Sequence, residues 1–314
     1  MTPDVMERLQ NPQTIFYWPY IAIAIVMALG WLILAVRYSL KEAWIYLFSR
    51  EIWLSPTAFT DLQYSLMYLL ILRGFVVALE TAVFVPTRNI TLELAARVVP
   101  DSWWIQTSVL IEGVAATLVT MLAIDFSSYW VHRWMHEYPI LWRLHSIHHS
   151  AEVLTPMTTY RQHLLEPVIL NTCRAAASGI ALGFFHAIFI DATPVITVFG
   201  MGAGFFVYMF TTNLHHCHVP VCYPRILRWL LVSPHQHQLH HSRDPRHFDC
   251  NFGVVFSFWD RAFGTLRHES VGVGELVFGI PPSLGSQKLI PNQSPTNTKD
   301  ALAKTLSAIA NPVA

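Results

Sequence analysis

The stretch "DFSSYWVHRWMHE", residues 125–137, closes an apolar run that starts near residue 108, and it turns polar within its last two helical turns. His132 and His136 stand four residues apart, on one face of a helix, and Asp125 lies two turns earlier on that face. An apolar helix ending in two imidazoles on one face can place both on one metal ion. The same device recurs along the chain. "HSIHHS", residues 145–150, puts His145, His148 and His149 at i, i+3 and i+4, and "HQLHH", residues 237–241, repeats the spacing with His237, His240 and His241. Three strips therefore offer eight histidines. Imidazole suits Fe, Zn and Cu, and eight nitrogen ligands exceed the need of one four- to six-coordinate ion, so a dinuclear centre is expected.

Other residues extend the set. "TNLHHCHV" offers His215, His216 and His218, of which one or two can face inward, and His163 in "YRQHLLE" is either a ligand or a donor behind one. A ligating histidine usually gives its other N–H to a carboxylate or carbonyl, which makes Asp125, Glu166 and Asp249 candidates for that task. Arg161 and Asn251 complete the polar candidates around the centre. His186 and His268 stand alone and read as scaffold.

Composition supplies the setting. Of 314 residues 53% are hydrophobic and 13% charged, against a soluble norm of roughly 25% charged. The mean hydropathy is +0.39. Net charge is +0, which leaves no broad field to recruit nucleic acid. The four cysteines form neither a C-x-x-C pair nor a secreted disulfide framework.

Apolar runs at 15–36, 62–85 and 108–130 read as membrane spans, the first retained rather than cleaved. A hairpin follows, with arms at 167–190 and 195–210 and a turn at 191–194. The expected fold is all-α: an integral membrane helical protein with four to five membrane segments, carrying a cytosolic helical cap that holds a His-rich dinuclear metal site. Arg37, Lys41 and Arg50 place the first loop in the cytoplasm, so the loop at 86–106 falls outside and both histidine regions return to the cytoplasmic side. Residues 1–282 are expected to form one domain, with the histidine-bearing region at about 125–265, and 283–314 a flexible tail rich in Pro, Ser, Asn and Thr. The multi-pass chain belongs in the inner (plasma) membrane of a bacterium or the endoplasmic reticulum of a eukaryote.

"HRWMH", "HSIHH" and "HQLHH", followed by "NFGVVFSFWDRAFGT", resemble the three histidine boxes and trailing segment of the fatty acid hydroxylase and sterol desaturase superfamily, the membrane-bound di-iron oxygenases. The resemblance covers about residues 125–265 and extends to the alkylglycerol monooxygenases within that superfamily. It implies that His132, His136, His145, His148, His149, His237, His240 and His241 bind metal, and it aligns His216 with an additional histidine before the third box. Where many members carry Asn two residues later, this chain has His218. The implied cofactor is two Fe ions, with Zn as a substitute in purified protein, since affinity at nitrogen sites generally ranks Zn above Fe. The implied chemistry is O2-dependent hydroxylation of an unactivated C–H bond in a fatty acyl, sterol or related lipid, or desaturation at the same site.

No flavin or dinucleotide fingerprint, haem attachment motif or iron–sulfur spacing occurs in the sequence, so electrons must come from a separate donor of the cytochrome b5, ferredoxin or rubredoxin type. Arg133, Arg143, Arg225 and Arg228 can orient an acidic partner or anchor the membrane interface. A metal transporter or a metal-stabilised scaffold is the rival class. Transport asks for a polar path across the bilayer, and Arg73, Glu80 and Glu112 form no such chain.

Overall fold

The computed structural model describes residues 17–100, 103–189, 196–198, 201–202, 213–269 and 271–280. The tail expected at 283–314 and most of the hairpin's second arm lie outside them. Helix α1 (Trp18–Leu34) begins with Pro19 in its first turn, where the missing N–H costs nothing. Helix α2 (Leu40–Leu47) starts on a capping box in which Ser39 and Glu42 satisfy each other's backbone N–H. After the single turn of α3 (Arg50–Trp53), Ser55 caps α4 (Pro56–Met67) by accepting from Ala58 N. One π turn at Tyr68–Leu72 joins α4 to α5 (Arg73–Ala96).

Together α4 and α5 form one apolar helix of 41 residues, Pro56–Ala96. At 1.5 Å per residue it is about 60 Å long, twice the roughly 30 Å hydrocarbon core. Helix α6 (Val109–Glu137) and helix α8 (Leu165–Ile188) are the two other helices long and apolar enough to cross a membrane among the described residues. Between them runs α7 (Pro139–His149). The loop expected from residue 86 starts later, because α5 continues through Pro86 for ten more residues. Membrane helices tolerate proline where neighbours secure the backbone. Here Thr87 donates its hydroxyl to Val83 O at 2.7 Å, and α8 packs directly on this stretch.

That packing depends on glycine. A Cβ at Gly179 would lie 2.9 Å from Phe84 O, and one at Gly183 would lie 2.7 Å from Arg88 O. The G-x-x-x-G pair thus lets α8 approach the backbone of α5 more closely than any side chain would permit. On its other side α8 meets α6, with Ala116, Leu182 and Phe185 buried together.

A two-residue antiparallel pair, β1 (Thr197–Val198) with β2 (Met201–Gly202), is the small departure from an all-helical fold. Helix α9 (Arg225–Leu230), helix α10 (Pro234–His241) and helix α11 (Phe258–Ala262) follow. Cys217, Val219, Val221 and Tyr223 pack with α1 and α2 residues such as Leu32 and Tyr46, which fixes the segment before α9 to those two helices.

Candidate metal centre

The histidine strips owe their positions to helix boundaries. Pro139 disfavours helical geometry at Tyr138, which adopts φ −98 and ψ 120, so α6 stops one residue past His136 and α7 sets off in a new direction. Ser233, four residues before His237, forms with Gln236 a capping box that starts α10, and Pro234 lies in the first turn.

Among the described residues, nine buried or half-buried imidazoles then fall into two groups. His132, His136, His145, His149 and His240 form one, and His148, His216, His237 and His241 form the other; within each group the ligand nitrogens lie within 4.8 Å of one another. The allotment alternates. On α7 the i, i+4 pair His145 and His149 serves the first group and His148 the second, whereas on α10 His237 and His241 serve the second and His240 the first.

In the second group Nε2 of His216 is 3.0 Å from Nε2 of His148 and 2.9 Å from that of His237, which is 3.1 Å from Nε2 of His241. Nitrogens about 2.0–2.1 Å from a common ion stand about 2.9–3.4 Å apart at octahedral or tetrahedral angles. In the first group the Nε2 atoms of His136, His145, His149 and His240 are buried and lack a hydrogen-bond partner. Buried polar atoms without partners are costly, so both groups fit a metal ion that would take these lone pairs.

The far side of four of the nine rings is held where a ligand's would be, whereas Nδ1 of His148 and Nδ1 of His237 are buried without a partner. His145 Nδ1 meets Glu166 Oε1 at 2.9 Å, His132 Nδ1 meets the Phe252 carbonyl at 2.9 Å, and His240 Nδ1 meets the Cys250 carbonyl at 2.8 Å. His216 Nδ1 pairs with the Thr159 hydroxyl at 3.0 Å. These contacts turn Nε2 toward the centre. Burial, with neighbouring imidazoles, pushes His148, His149, His216, His237 and His241 well below the ordinary imidazole range. Burial also brings His240 down to about 3. The rings are therefore neutral at physiological pH, the state that binds metal.

The sequence-derived candidates separate clearly. His163 accepts from Leu165 N, and His215 meets the Val232 carbonyl at 3.0 Å, so both lie outside the groups. His218 is buried beside Tyr46 and Trp53 and also lies outside them. Of the five polar candidates Glu166 alone holds a ring. Asp125 instead accepts Val255 N, Phe256 N and the Trp259 indole at 2.8, 2.9 and 3.1 Å, fastening the segment after the third strip to α6. Arg161 bridges Asp61 and the end of α7, donating to Ser150 Oγ at 2.8 Å and Asp61 Oδ1 at 3.1 Å. Asn251, in the left-handed region at φ 54, donates to the Gln236 and Arg267 carbonyls. Asp249 is exposed at a cavity mouth rather than placed behind a ring.

Sequence reasoning missed Thr159 and Asp260. Asp260 accepts Phe252 N at 2.7 Å and Gly253 N at 2.9 Å, which holds the carbonyl that faces His132. Burial raises its carboxyl to about 6. Its place in "NFGVVFSFWDRAFGT" was the available signal. A cavity of about 260 Å³ opens onto both groups, lined by His136, His149, His240, His241, Trp142 and Asp249 among others.

The fatty acid hydroxylase family model matches residues 117–265, the stretch that holds all three strips. Over that stretch the chain is similar to the fatty acid hydroxylase domain. The domain is similar to alkylglycerol monooxygenase of Danio rerio, with 30% identity over 169 residues, 54% of this chain and 33% of that protein. It is also similar to a very-long-chain aldehyde decarbonylase of Oryza sativa subsp. indica, at 28% identity over 56% of this chain and 26% of the relative. Lathosterol oxidase of Mus musculus is 29% identical over 46% of this chain and 43% of its own length. The match to the first of these spans about a third of that relative's length. No solved structure matches the chain significantly.

Proposed function

We propose that the chain is a membrane-bound di-iron oxygenase that uses O2 and external electrons to hydroxylate an unactivated C–H bond of a lipid. The observation that carries this reading is the convergence of nine imidazole nitrogens into two groups at one end of three apolar helices. His132, His136, His145, His149 and His240 would hold one iron, and His148, His216, His237 and His241 the other. Iron bound there would supply the activation of O2 that no side chain provides.

The residues of the chain do the rest. Glu166, Thr159 and the carbonyls of Phe252 and Cys250 fix ring orientation and keep each proton on Nδ1 or its partner, which leaves Nε2 free. Burial keeps the centre dry and its histidines neutral. The cavity gives access from the cap, which we place on the cytoplasmic side. An acidic electron donor would dock on the same face, where Arg143 and Arg225 are exposed. Arg133 is already paired with Glu137 at 2.7 Å, and the Arg228 guanidinium lies against His268. Residues 1–282 would act as one domain.

Comparative lipid mass spectrometry of cells expressing wild type or His148→Ala, with iron and a compatible reductase supplied, tests the reading. A lipid gaining one oxygen only with the wild type is expected, and a loss of two hydrogens would make the enzyme a desaturase. Identical lipids despite bound iron and verified reduction would exclude an oxygenase in favour of a scaffold or transporter.

A further inference from the structure

In the loop after α10, Asp249 and Asn251 have φ of 53 and 54, a left-handed region that asparagine and aspartate tolerate better than most residues. Such backbone persists where its surroundings over-determine it, and it clusters at functional sites. Here the two residues alternate with carbonyls that meet histidines of the first group. Cys250 O faces His240 Nδ1 at 2.8 Å, and Phe252 O faces His132 Nδ1 at 2.9 Å. Those rings come from different helices, α10 and α6, and their centroids are 4.5 Å apart. The backbone angles at Asn251 set the direction of one carbonyl relative to the other, so a single residue governs two rings.

Two side chains hold this loop, and each leads back to a helix that carries one of the rings. The Asn251 amide is fully used: Nδ2 donates to Gln236 O and Arg267 O, both at 3.0 Å, and Oδ1 accepts Arg267 N at 2.8 Å. Gln236 belongs to α10, four residues before His240. On the other side Asp260 accepts Phe252 N and Gly253 N, and it takes the Thr265 hydroxyl at 2.7 Å. The single hydroxyl hydrogen of Thr265 is thereby committed, so the Tyr129 hydroxyl, 2.9 Å away, donates to Thr265 Oγ1. Tyr129 stands three residues before His132 on α6. Other rings are held from elsewhere, His145 by Glu166 and His216 by Thr159.

We propose that Asn251 and Asp260 are positioning residues for His132 and His240: they aim the two carbonyls that keep each ring's hydrogen on Nδ1, and so reserve Nε2 of both for a metal ion. A carbonyl can only accept, so a ring that faces one carries its hydrogen on the facing nitrogen. Released from the carbonyl, the ring is open to either tautomer, and the form with hydrogen on Nε2 has no lone pair there to give. Asn251 acts on both rings through the loop, whereas the route from Asp260 through Thr265 to Tyr129 acts on His132. This assignment rests on the metal-centre reading above and is independent of O2 chemistry.

The test uses metal-free, full-length protein in phosphatidylcholine nanodiscs, with histidine rings labelled by 15N. Solid-state NMR reads the tautomer of each ring, and single His→Gln variants assign the signals. His132 and His240 should carry hydrogen on Nδ1 in wild type. Asn251→Asp keeps the size and the tolerance of left-handed backbone but removes both donated bonds, and it should turn both rings into tautomer mixtures. Tyr129→Phe deletes one hydroxyl and remains a test if Asn251→Asp fails to fold; it should move His132 and leave His240. His145 and His216 should be unmoved in either variant. Zinc affinity, measured by competition with a chelating dye, should fall roughly 10- to 100-fold in Asn251→Asp. Wild-type rings protonated at Nε2, tautomers or zinc affinity unchanged in the variants, or His145 and His216 shifting along with the other two overturns the proposal. Tautomers that respond as expected in a protein whose iron-loaded form oxidises no lipid would fault the oxygenase reading and leave the positioning role standing.

Discussion

Glu166 sits in the first turn of α8, yet its side chain acts on α7, where Oε1 meets His145 Nδ1 at 2.9 Å and both groups are almost fully buried. A carboxylate behind a ligating imidazole sets its tautomer and raises its basicity. Glu166→Gln keeps the shape and removes the charge, and we expect metal affinity or activity to drop by about 10- to 100-fold with little change in fold. Metal content by mass spectrometry, alongside far-UV circular dichroism, checks this; unchanged affinity would make Glu166 a packing residue. The histidines themselves were legible from the sequence because their spacing repeats the helical period. Asp125, Arg161 and Asn251 lie near the histidine strips without a hydrogen bond to any of the nine rings. Their hydrogen bonds run to backbone groups such as Val255 N, Ser150 O and Gln236 O, and no local periodicity encodes these pairings.

At the scale of elements, α8 is the keystone: it starts beside His145 and then lies against both α5 and α6. Gly183→Leu would push a side chain into the backbone around Arg88 and Thr91. A destabilisation of about 1–3 kcal/mol follows from overpacking a close helix contact. The thermal midpoint in detergent should drop, and Gly183→Ala should lower it as well, because even a single Cβ would lie 2.7 Å from Arg88 O. A midpoint equal to wild type would show that the two helices separate freely. The apolar runs that became α1, α5, α6 and α8 were readable from composition, whereas the length of α5 was not. Proline at position 86 reads as a terminator in water, and the close approach of α8 lets the helix continue here.

The whole molecule inherits a pH response from the buried rings. His240 sits at about 3 in the fold against an ordinary imidazole near 6.5. Below 6.5 the unfolded chain takes up protons that the folded chain refuses, so stability is fully present above that value and declines as pH falls toward 3. Each such ring costs up to about 1.4 kcal/mol per pH unit in that window. The metal-free protein should hold a level Tm above about pH 7.5 and lose it steeply between about pH 6.5 and 5. A flat profile across that range would contradict the buried, neutral state of the centre.

The alternating allotment on α7 and α10 has a further result. Neither helix belongs to one group: His145 and His149 point to the first while His148 points to the second, and α10 reverses the order. If each group holds an ion, emptying either one would loosen both helices and with them the ligands of the other. Filling either one orders both, which lowers the entropy still to be lost at its neighbour. Metal uptake should then be cooperative, with half-loaded protein the scarce species, so a limiting supply would divide the population into full and empty chains rather than share ions evenly.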